Sequence, residues 1–273
     1  MDAHTGSRLD GLLVDELASD AGDDAPVVVL VHGTMDRHSS FARLRSRLMA
    51  TCRVVSYDRR GYAGSRAAEP PASSITDHVA DLEAVIAGRR CTLLGHSYGG
   101  SVVLALAAQR PDLTGAAVVY EPPLPWLDWW PRTDPSDGPV FDGSDPRAAA
   151  EEFLARTIGR HRYERLPLKT REEVVLDGDA LVAEMRAIQR DPAPFEPAAI
   201  TRPVLVVRGS DTSERHRLGT DWLAARLPAA SLHTLGGAGH GGHQSHPAEL
   251  ARIVATAVTL ASDPAADRPP ETL

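Results

Sequence analysis

Residues 95–99, with the sequence Gly-His-Ser-Tyr-Gly, constrain the fold more than any other segment, because a glycine stands two positions before and two positions after a serine. The apolar run 91–94 before it predicts a buried strand, and residues 101–109 after it, rich in Ala, Val and Leu, predict a buried helix. A sharp strand-to-helix turn strains the central residue and leaves no room for neighbouring Cβ atoms. We therefore predict such a turn, called the elbow (residues 95–99) below, with Ser97 as a candidate nucleophile.

Strand-like and helix-like segments alternate along most of the chain. Unbroken apolar runs predict strands at residues 27–31, 54–57, 91–94, 116–120, 204–207 and 231–235, with helices near 39–49 and 77–87 between the first of them. Such runs need cover on both faces, which is typical of a mostly parallel sheet between two layers of helices. The segment 12–17 favours an additional edge strand.

The alternation stops between Pro122 and Pro203, where Pro, Trp and Asp are followed by helix-like stretches around 147–158 and 171–190. An insertion after the strand that follows the elbow helix overhangs the carboxyl ends of the strands, where open α/β sheets place their sites. We therefore predict a core formed by residues 1–122 and 204–262 and a helical cap at 123–203. The Pro-, Ala- and Asp-rich residues 263–273 are expected to be a disordered tail.

Composition narrows the range of partners. The 273-residue chain has a formal net charge of −8 with both signs interspersed, which disfavours nucleic acid and anionic membranes as partners. Residues 1–25 are polar and show no secretory signal, and no apolar run approaches a membrane span, so we expect a cytoplasmic protein without membrane association. Lys169 is the only lysine, a bias common in GC-rich bacterial sequences. Cys52 and Cys91 lie beside predicted strands and are expected to be buried thiols.

Four landmarks occur in one order along the chain. His-Gly-Thr at 32–34 follows the first long apolar run, Asp-Arg-Arg-Gly-Tyr-Ala-Gly-Ser at 58–65 resembles a D-x-R-G-x-G-x-S loop, the elbow comes next, and Gly-His at 239–240 follows the last predicted strand. Together they resemble the α/β-hydrolase family, specifically its capped bacterial members, over roughly residues 27–260. The resemblance implies the α/β-hydrolase fold. The arginines of the 58–65 loop are expected to brace the sheet edge through ion pairs.

A serine hydroxyl is a weak nucleophile and needs a base within hydrogen-bond reach. His240 is the candidate base, since it lies in a glycine-rich loop, residues 236–242, which can carry an imidazole to the elbow. The resemblance implies that the backbone N–H groups of Tyr98 and Thr34 form the oxyanion hole. His243 and His246 follow at three-residue intervals, but no carboxylate lies near them in sequence, so we expect neither a metal nor another cofactor.

The acid that would orient the base has two candidates. The usual family signature after strand 204–207 is G-x-x-D, whereas Gly-Ser-Asp at 209–211 brings Asp211 one residue early. A second family position, used by one subgroup of haloalkane dehalogenases, ends the strand after the elbow helix, and Glu121 stands there. We favour Glu121 because that strand end lies at the active-site face. Glu121 facing solvent and Asp211 capping a helix that starts near Ser213 are the structural alternatives.

The pocket is expected to be apolar. Met35, which follows Thr34, and the side chain of Tyr98 are expected to line it. Trp126, Trp129 and Trp130 either wall the pocket or attach the cap to the core. These residues predict a serine hydrolase that cleaves an ester, thioester or lactone of a moderately apolar small molecule through an acyl-enzyme. Two alternatives stay open: a non-hydrolytic or carbon–carbon-cleaving biosynthetic enzyme of the same fold, and an inactive ligand-binding protein.

Overall fold

The computed structural model describes residues 5–69, 72–130 and 144–262. Eight strands form one sheet, and their bounds are β1 (Thr5–Leu9), β2 (Leu12–Leu17), β3 (Val27–Val31), β4 (Arg53–Tyr57), β5 (Cys91–His96), β6 (Thr114–Tyr120), β7 (Val204–Gly209) and β8 (Ala230–Leu235). Their order in the sheet is β1-β2-β4-β3-β5-β6-β7-β8. Every pairing from β4 to β8 is parallel, so the prediction of a mostly parallel sheet is confirmed.

Strands β1 and β2 form an antiparallel hairpin at one edge, and β1 was not predicted. Leu9 pairs with Leu12, which leaves Asp10 and Gly11 as a two-residue loop. Both loop residues have positive φ, 48° and 85°, the conformation of a type I′ turn, in which Asp-Gly is strongly preferred. The Asp-Gly pair was therefore an available hairpin signal. The strand predicted at 12–17 is β2, but it is not the edge strand, because β1 pairs with its outer side.

The helices are α1 (Ala42–Leu48), α2 (Ile75–Ile86), α3 (Tyr98–Gln109), α4 (Pro146–Ile158), α5 (Arg160–Glu164), α6 (Leu168–Val174), α7 (Gly178–Arg190), α8 (Glu214–Arg226), α9 (Gly242–Ser245) and α10 (Pro247–Ala261). They cover both faces of the sheet. Val29 and Val31 of β3 pack with residues of α2, α3 and α8, whereas Val28 and Leu30 pack with residues of α1 and α10. This alternation along one strand explains why the parallel strands are apolar throughout.

Helices α4 to α7 lie between β6 and β7 in the chain, where the sequence predicted a cap. The predicted helix at 147–158 corresponds to α4, whereas the one at 171–190 is divided into α6 and α7 by a short 3₁₀ segment, Val175–Asp177. A Cβ at Gly178 would lie 2.1 Å from the Pro146 carbonyl oxygen, so α7 begins in direct contact with the start of α4. The cap boundaries stay a prediction, and residues 131–143 and the predicted tail 263–273 lie outside the described residues.

No helix among the described residues is both long enough and apolar enough to cross a bilayer.

Candidate active site

The elbow joins β5 to α3 through a single strained residue. Ser97 has φ 52° and ψ −127°, a conformation that L-residues rarely adopt. A Cβ at Gly95 would lie 2.3 Å from the carbonyl oxygen of Gly99, and one at Gly99 would lie 2.3 Å from that of Val31. Because both obstacles are backbone atoms, only glycine fits at these two positions. The turn therefore presents Ser97 at the carboxyl end of the sheet.

Glu121 and His240 meet beside the elbow. His240 Nδ1 lies 2.7 Å from Glu121 Oε2, and the backbone N–H of Gly209 donates to Glu121 Oε1 at 2.8 Å. The Glu121 side chain is fully buried, so both carboxylate oxygens are committed to these N–H groups. Asp211, the other candidate acid, is exposed and accepts a hydrogen bond from Ser210 Oγ at 2.8 Å. Of the two candidates, the structure brings Glu121 to His240.

Ser97 and His240 are connected through the backbone. His96 Nε2, one residue before Ser97, lies 2.9 Å from the carbonyl oxygen of His240. The Ser97 hydroxyl has no hydrogen-bond partner among the residues described, and the His240 side chain is 30% exposed. The backbone of His240 is thus held against the residue before Ser97, and its partly exposed imidazole is the candidate base for that hydroxyl.

His216, which the sequence did not single out, stacks on His240. Their ring centroids are 4.3 Å apart with an interplanar angle of 4°, and His216 Nδ1 lies 3.5 Å from Glu121 Oε2. Burial, reinforced by the charge of His240, lowers the pKa of His216 to about 2, so this ring is neutral. No sequence signal could have found it, because α8 meets His240 only through tertiary packing.

The proposed oxyanion positions lie on either side of Ser97. Tyr98 is the first residue of α3, where a backbone N–H has no partner within the helix. Thr34 follows β3, and its hydroxyl donates to Glu184 Oε1 of α7. The carbonyls just before Thr34 are held as well, because the Arg59 guanidinium donates to His32 O at 2.9 Å and to Gly33 O at 3.0 Å.

The Arg59 side chain is completely buried and paired with Glu184, whose Oε2 lies 2.7 Å from an Arg59 nitrogen. The sequence interpretation of Arg59 as a brace at the sheet edge missed this partner. A signal did exist, since Glu184 stands on the same helical face as the buried Leu181 and Ala187. A carboxylate on an apolar face predicts a buried cation opposite it. The pair links the segment between β6 and β7 to the turn that carries Thr34.

A small, open cleft lies next to the elbow, between α3 and the end of α7. Tyr98, Trp126 and Ile188 line it, whereas Ser97 is not among the lining residues. Trp126 packs edge-on against Phe195, with ring centroids 5.4 Å apart. The cleft is therefore apolar and borders Tyr98.

The other predicted pocket residues differ in burial. Trp130 is buried, with its ring 5.9 Å from that of His216, whereas Trp129 is 41% exposed. Met35 is buried in a cluster that includes Tyr62 and Leu181. Trp130 thus attaches the segment after β6 to α8, the second role that the sequence left open for the tryptophans. Met35 packs with residues of the inserted helices.

Among the residues that the structure describes, two groups of side chains have donor atoms close enough to hold a metal ion: Glu121 with His216 and His240, and Asp36 with His96 and His243. The first group contains the pair already described. In the second, burial opposes ionisation of Asp36, but its contact with His243, 3.4 Å away, holds the pKa of the carboxyl well below its ordinary value. The contact with His243 accounts for the shift at Asp36, and the absence of a metal stays a prediction.

The parallel sheet, the strained serine between β5 and α3, and the histidine loop after β8 together define an α/β-hydrolase fold. The chain belongs to the alpha/beta hydrolase family, whose model matches residues 28–253.

Two relatives and one solved structure illustrate the similarity. One relative is a Caulobacter sp. (strain K31) protein that carries the provisional name carbamate hydrolase RutD. It is 26% identical over 249 residues, which cover 85% of this chain and 90% of that protein. The Rhizobium rhizogenes protein of the same name is 29% identical over 122 residues, 44% of each chain. A crystal structure from Acinetobacter baumannii AYE, provisionally named a lipase, has a TM-score of 0.76 at 15% identity and covers 95% of this chain and 92% of its own.

Proposed function

We propose that the protein cleaves acyl compounds through a covalent serine intermediate, with Ser97 as nucleophile, His240 as base and Glu121 as the carboxylate that orients the base. The supporting observation is the 2.7 Å contact between His240 Nδ1 and the buried Glu121 Oε2. A carboxylate there fixes the imidazole proton on Nδ1, so Nε2 carries the lone pair that accepts the serine proton.

The reaction then has two similar halves. Ser97 Oγ attacks the acyl carbon while its proton moves to His240 Nε2, and the N–H groups of Tyr98 and Thr34 stabilise the oxyanion. The intermediate collapses as the leaving group takes the proton, which leaves an acyl-serine. Water repeats the attack, His240 again accepts and returns the proton, and the acid product departs.

The substrate class that we propose is a carboxylic ester, thioester or lactone of a moderately apolar small molecule. The cleft lined by Tyr98, Trp126 and Ile188 offers an apolar surface for the acyl or leaving group, and Met35, Trp129 and Trp130 are further candidates for the pocket wall. The names of the relatives favour carbamates as a second candidate. A carbamate carbonyl is an acyl centre that the same steps would serve.

A fluorophosphonate probe followed by peptide mass mapping tests the mechanism. We expect the label on Ser97 alone, loss of the label in Ser97→Ala, and strongly reduced labelling in His240→Ala. Ser101, in the helix that follows Ser97, donates its hydroxyl to the Pro123 carbonyl at 3.0 Å and is the matched serine that must stay unlabelled. A folded protein without label on Ser97 would contradict the proposal. Chromogenic esters, thioesters, lactones and carbamates compared at equal concentration then rank the substrate classes.

A further inference from the structure

The loop that carries His240 has little intrinsic order. Five of the seven residues from 236 to 242 are glycine, so the unfolded loop samples many conformations and a fixed one costs more entropy than usual. A base on such a loop reaches a defined place only where other contacts hold the loop.

Three successive carbonyl groups of this loop accept hydrogen bonds. The backbone N–H of Asp211 donates to Ala238 O at 2.9 Å, the Tyr120 hydroxyl to Gly239 O at 2.6 Å, and His96 Nε2 to His240 O at 2.9 Å. The two side-chain donors stand directly before Glu121 and Ser97 in sequence. His96 and Tyr120 are also register partners in the sheet, so both donors project from one place on neighbouring strands.

The surroundings fit these contacts. A Cβ at Gly242 would lie 2.2 Å from the Tyr120 hydroxyl, so the loop needs glycine there to approach the tyrosine. The carbonyl of His240 can only accept, which places the His96 proton on Nε2. Burial, together with the neighbouring His243 and His240, lowers the pKa of His96 well below its ordinary value, so His96 remains a neutral donor. Asp36 faces the same ring, with its Oδ2 3.9 Å from His96 Nδ1.

We propose that Tyr120 and His96 are positioning residues that hold the loop at 236–242, so that His240 stands over the elbow. The proposal rests on the proposed role of His240 as base. Each residue acts through the backbone of the loop, and neither contacts the substrate. The strands that present the nucleophile and the acid thus also fix the base.

The test uses the full chain with the variants Tyr120→Phe, His96→Leu, His96→Gln and the double variant Tyr120→Phe/His96→Leu. Tyr57→Phe is the matched control, because Tyr57 is also buried and its hydroxyl has no partner among the described residues. Three quantities are measured: the rate of Ser97 labelling by the fluorophosphonate, kcat and KM for a chromogenic ester, and hydrogen exchange of the 236–242 amides.

Tyr120→Phe and His96→Leu are each expected to lower the labelling rate and kcat about tenfold, because each variant loses one hydrogen bond that holds the loop. KM should change little, because neither side chain contacts the substrate. The double variant should lose more than the product of the two, because either contact alone still restrains the loop. His96→Gln, whose amide nitrogen reaches the position of Nε2, should recover most of the rate. Exchange of the loop amides should rise about tenfold in the same variants and stay unchanged in Tyr57→Phe.

Unchanged exchange and labelling in the double variant would overturn the proposal, as would equal losses in Tyr57→Phe. If the wild-type protein fails to react with the probe, the proposed function fails, whereas the exchange measurement still decides whether Tyr120 and His96 hold the loop. The two failures are therefore distinguishable.

Discussion

Replacing Glu121 with glutamine should disable the base while leaving its shape intact. Both carboxylate oxygens accept hydrogen bonds, one from the Gly209 N–H and one from His240 Nδ1. An amide has only one acceptor oxygen, so its NH₂ group must face one of these two N–H groups. If the NH₂ faces His240, the imidazole changes tautomer and places its proton on Nε2, where it can no longer accept one from Ser97.

The size of the effect follows from the geometry. Opposite unit charges 2.7 Å apart, at an effective dielectric constant of about 20, attract by about 6 kcal/mol, and that attraction stabilises the imidazolium formed during the reaction. Because about 1.4 kcal/mol corresponds to a factor of ten in rate, we expect the loss of this attraction to lower kcat for a chromogenic ester by about 10⁴. Probe labelling of Ser97 should slow in parallel.

Asp211→Asn is the matched control. Asp211 is exposed, so the same change of carboxylate to amide should alter kcat less than about twofold. The reasoning is refuted if Asp211→Asn is the damaging change, or if Glu121→Gln keeps more than a tenth of the wild-type kcat with its circular dichroism spectrum intact.

Three further predictions concern stability. Glu184→Gln should lower the free energy of unfolding, measured in urea, by about 3–5 kcal/mol, because Arg59 stays buried without its counter-charge. Glu151 is exposed, so Glu151→Gln should change the free energy of unfolding by less than about 0.5 kcal/mol. Equal changes in the two variants would contradict this prediction. Gly95→Ala should abolish soluble expression through its backbone clash, and Gly236→Ala, with nothing within 4 Å, should express and melt like the wild type. Burial and the nearby Arg59 lower the pKa of His32 from 6.5 to about 4, so the unfolded chain binds more protons between these values. The free energy of unfolding should therefore fall as the pH falls from 6.5 to 4, and it should fall more steeply in the wild type than in His32→Gln. Urea titrations that give the same pH dependence for both proteins would show that His32 does not titrate in this way.

The parts of the fold that were predictable depend on local pattern. The runs that became β3 to β7 are mostly apolar, whereas β8 is half polar. The glycine at 95 reports a crowding against the backbone of Gly99, four residues along the chain. The Asp-Gly turn at residues 10–11 belongs to the same class of signal, although it was not used.

The parts that could not be predicted depend on contacts between distant segments. His216 reaches His240 from another helix, and the division between α6 and α7 coincides with the contact of Gly178 with Pro146. The sequence favoured Glu121 over Asp211 from its position at a strand end, yet the hydrogen bonds that occupy both of its oxygens come from residues 209 and 240. The spacing of residues along the chain does not indicate these contacts between distant segments.

The ion pair between Arg59 and Glu184 makes the inserted helices and the sheet dependent on each other. One partner follows β4, the other lies in α7, and neither charge can be hydrated once the chain has folded. A chimera that takes the segment between β6 and β7 from a relative would keep the Arg59 guanidinium buried and unpaired beneath the turn that carries Thr34, unless the donor segment also supplies an acid at this depth. A chimera that exchanges the segment between β6 and β7 should therefore fold only when it retains both an arginine at position 59 and an acid at position 184.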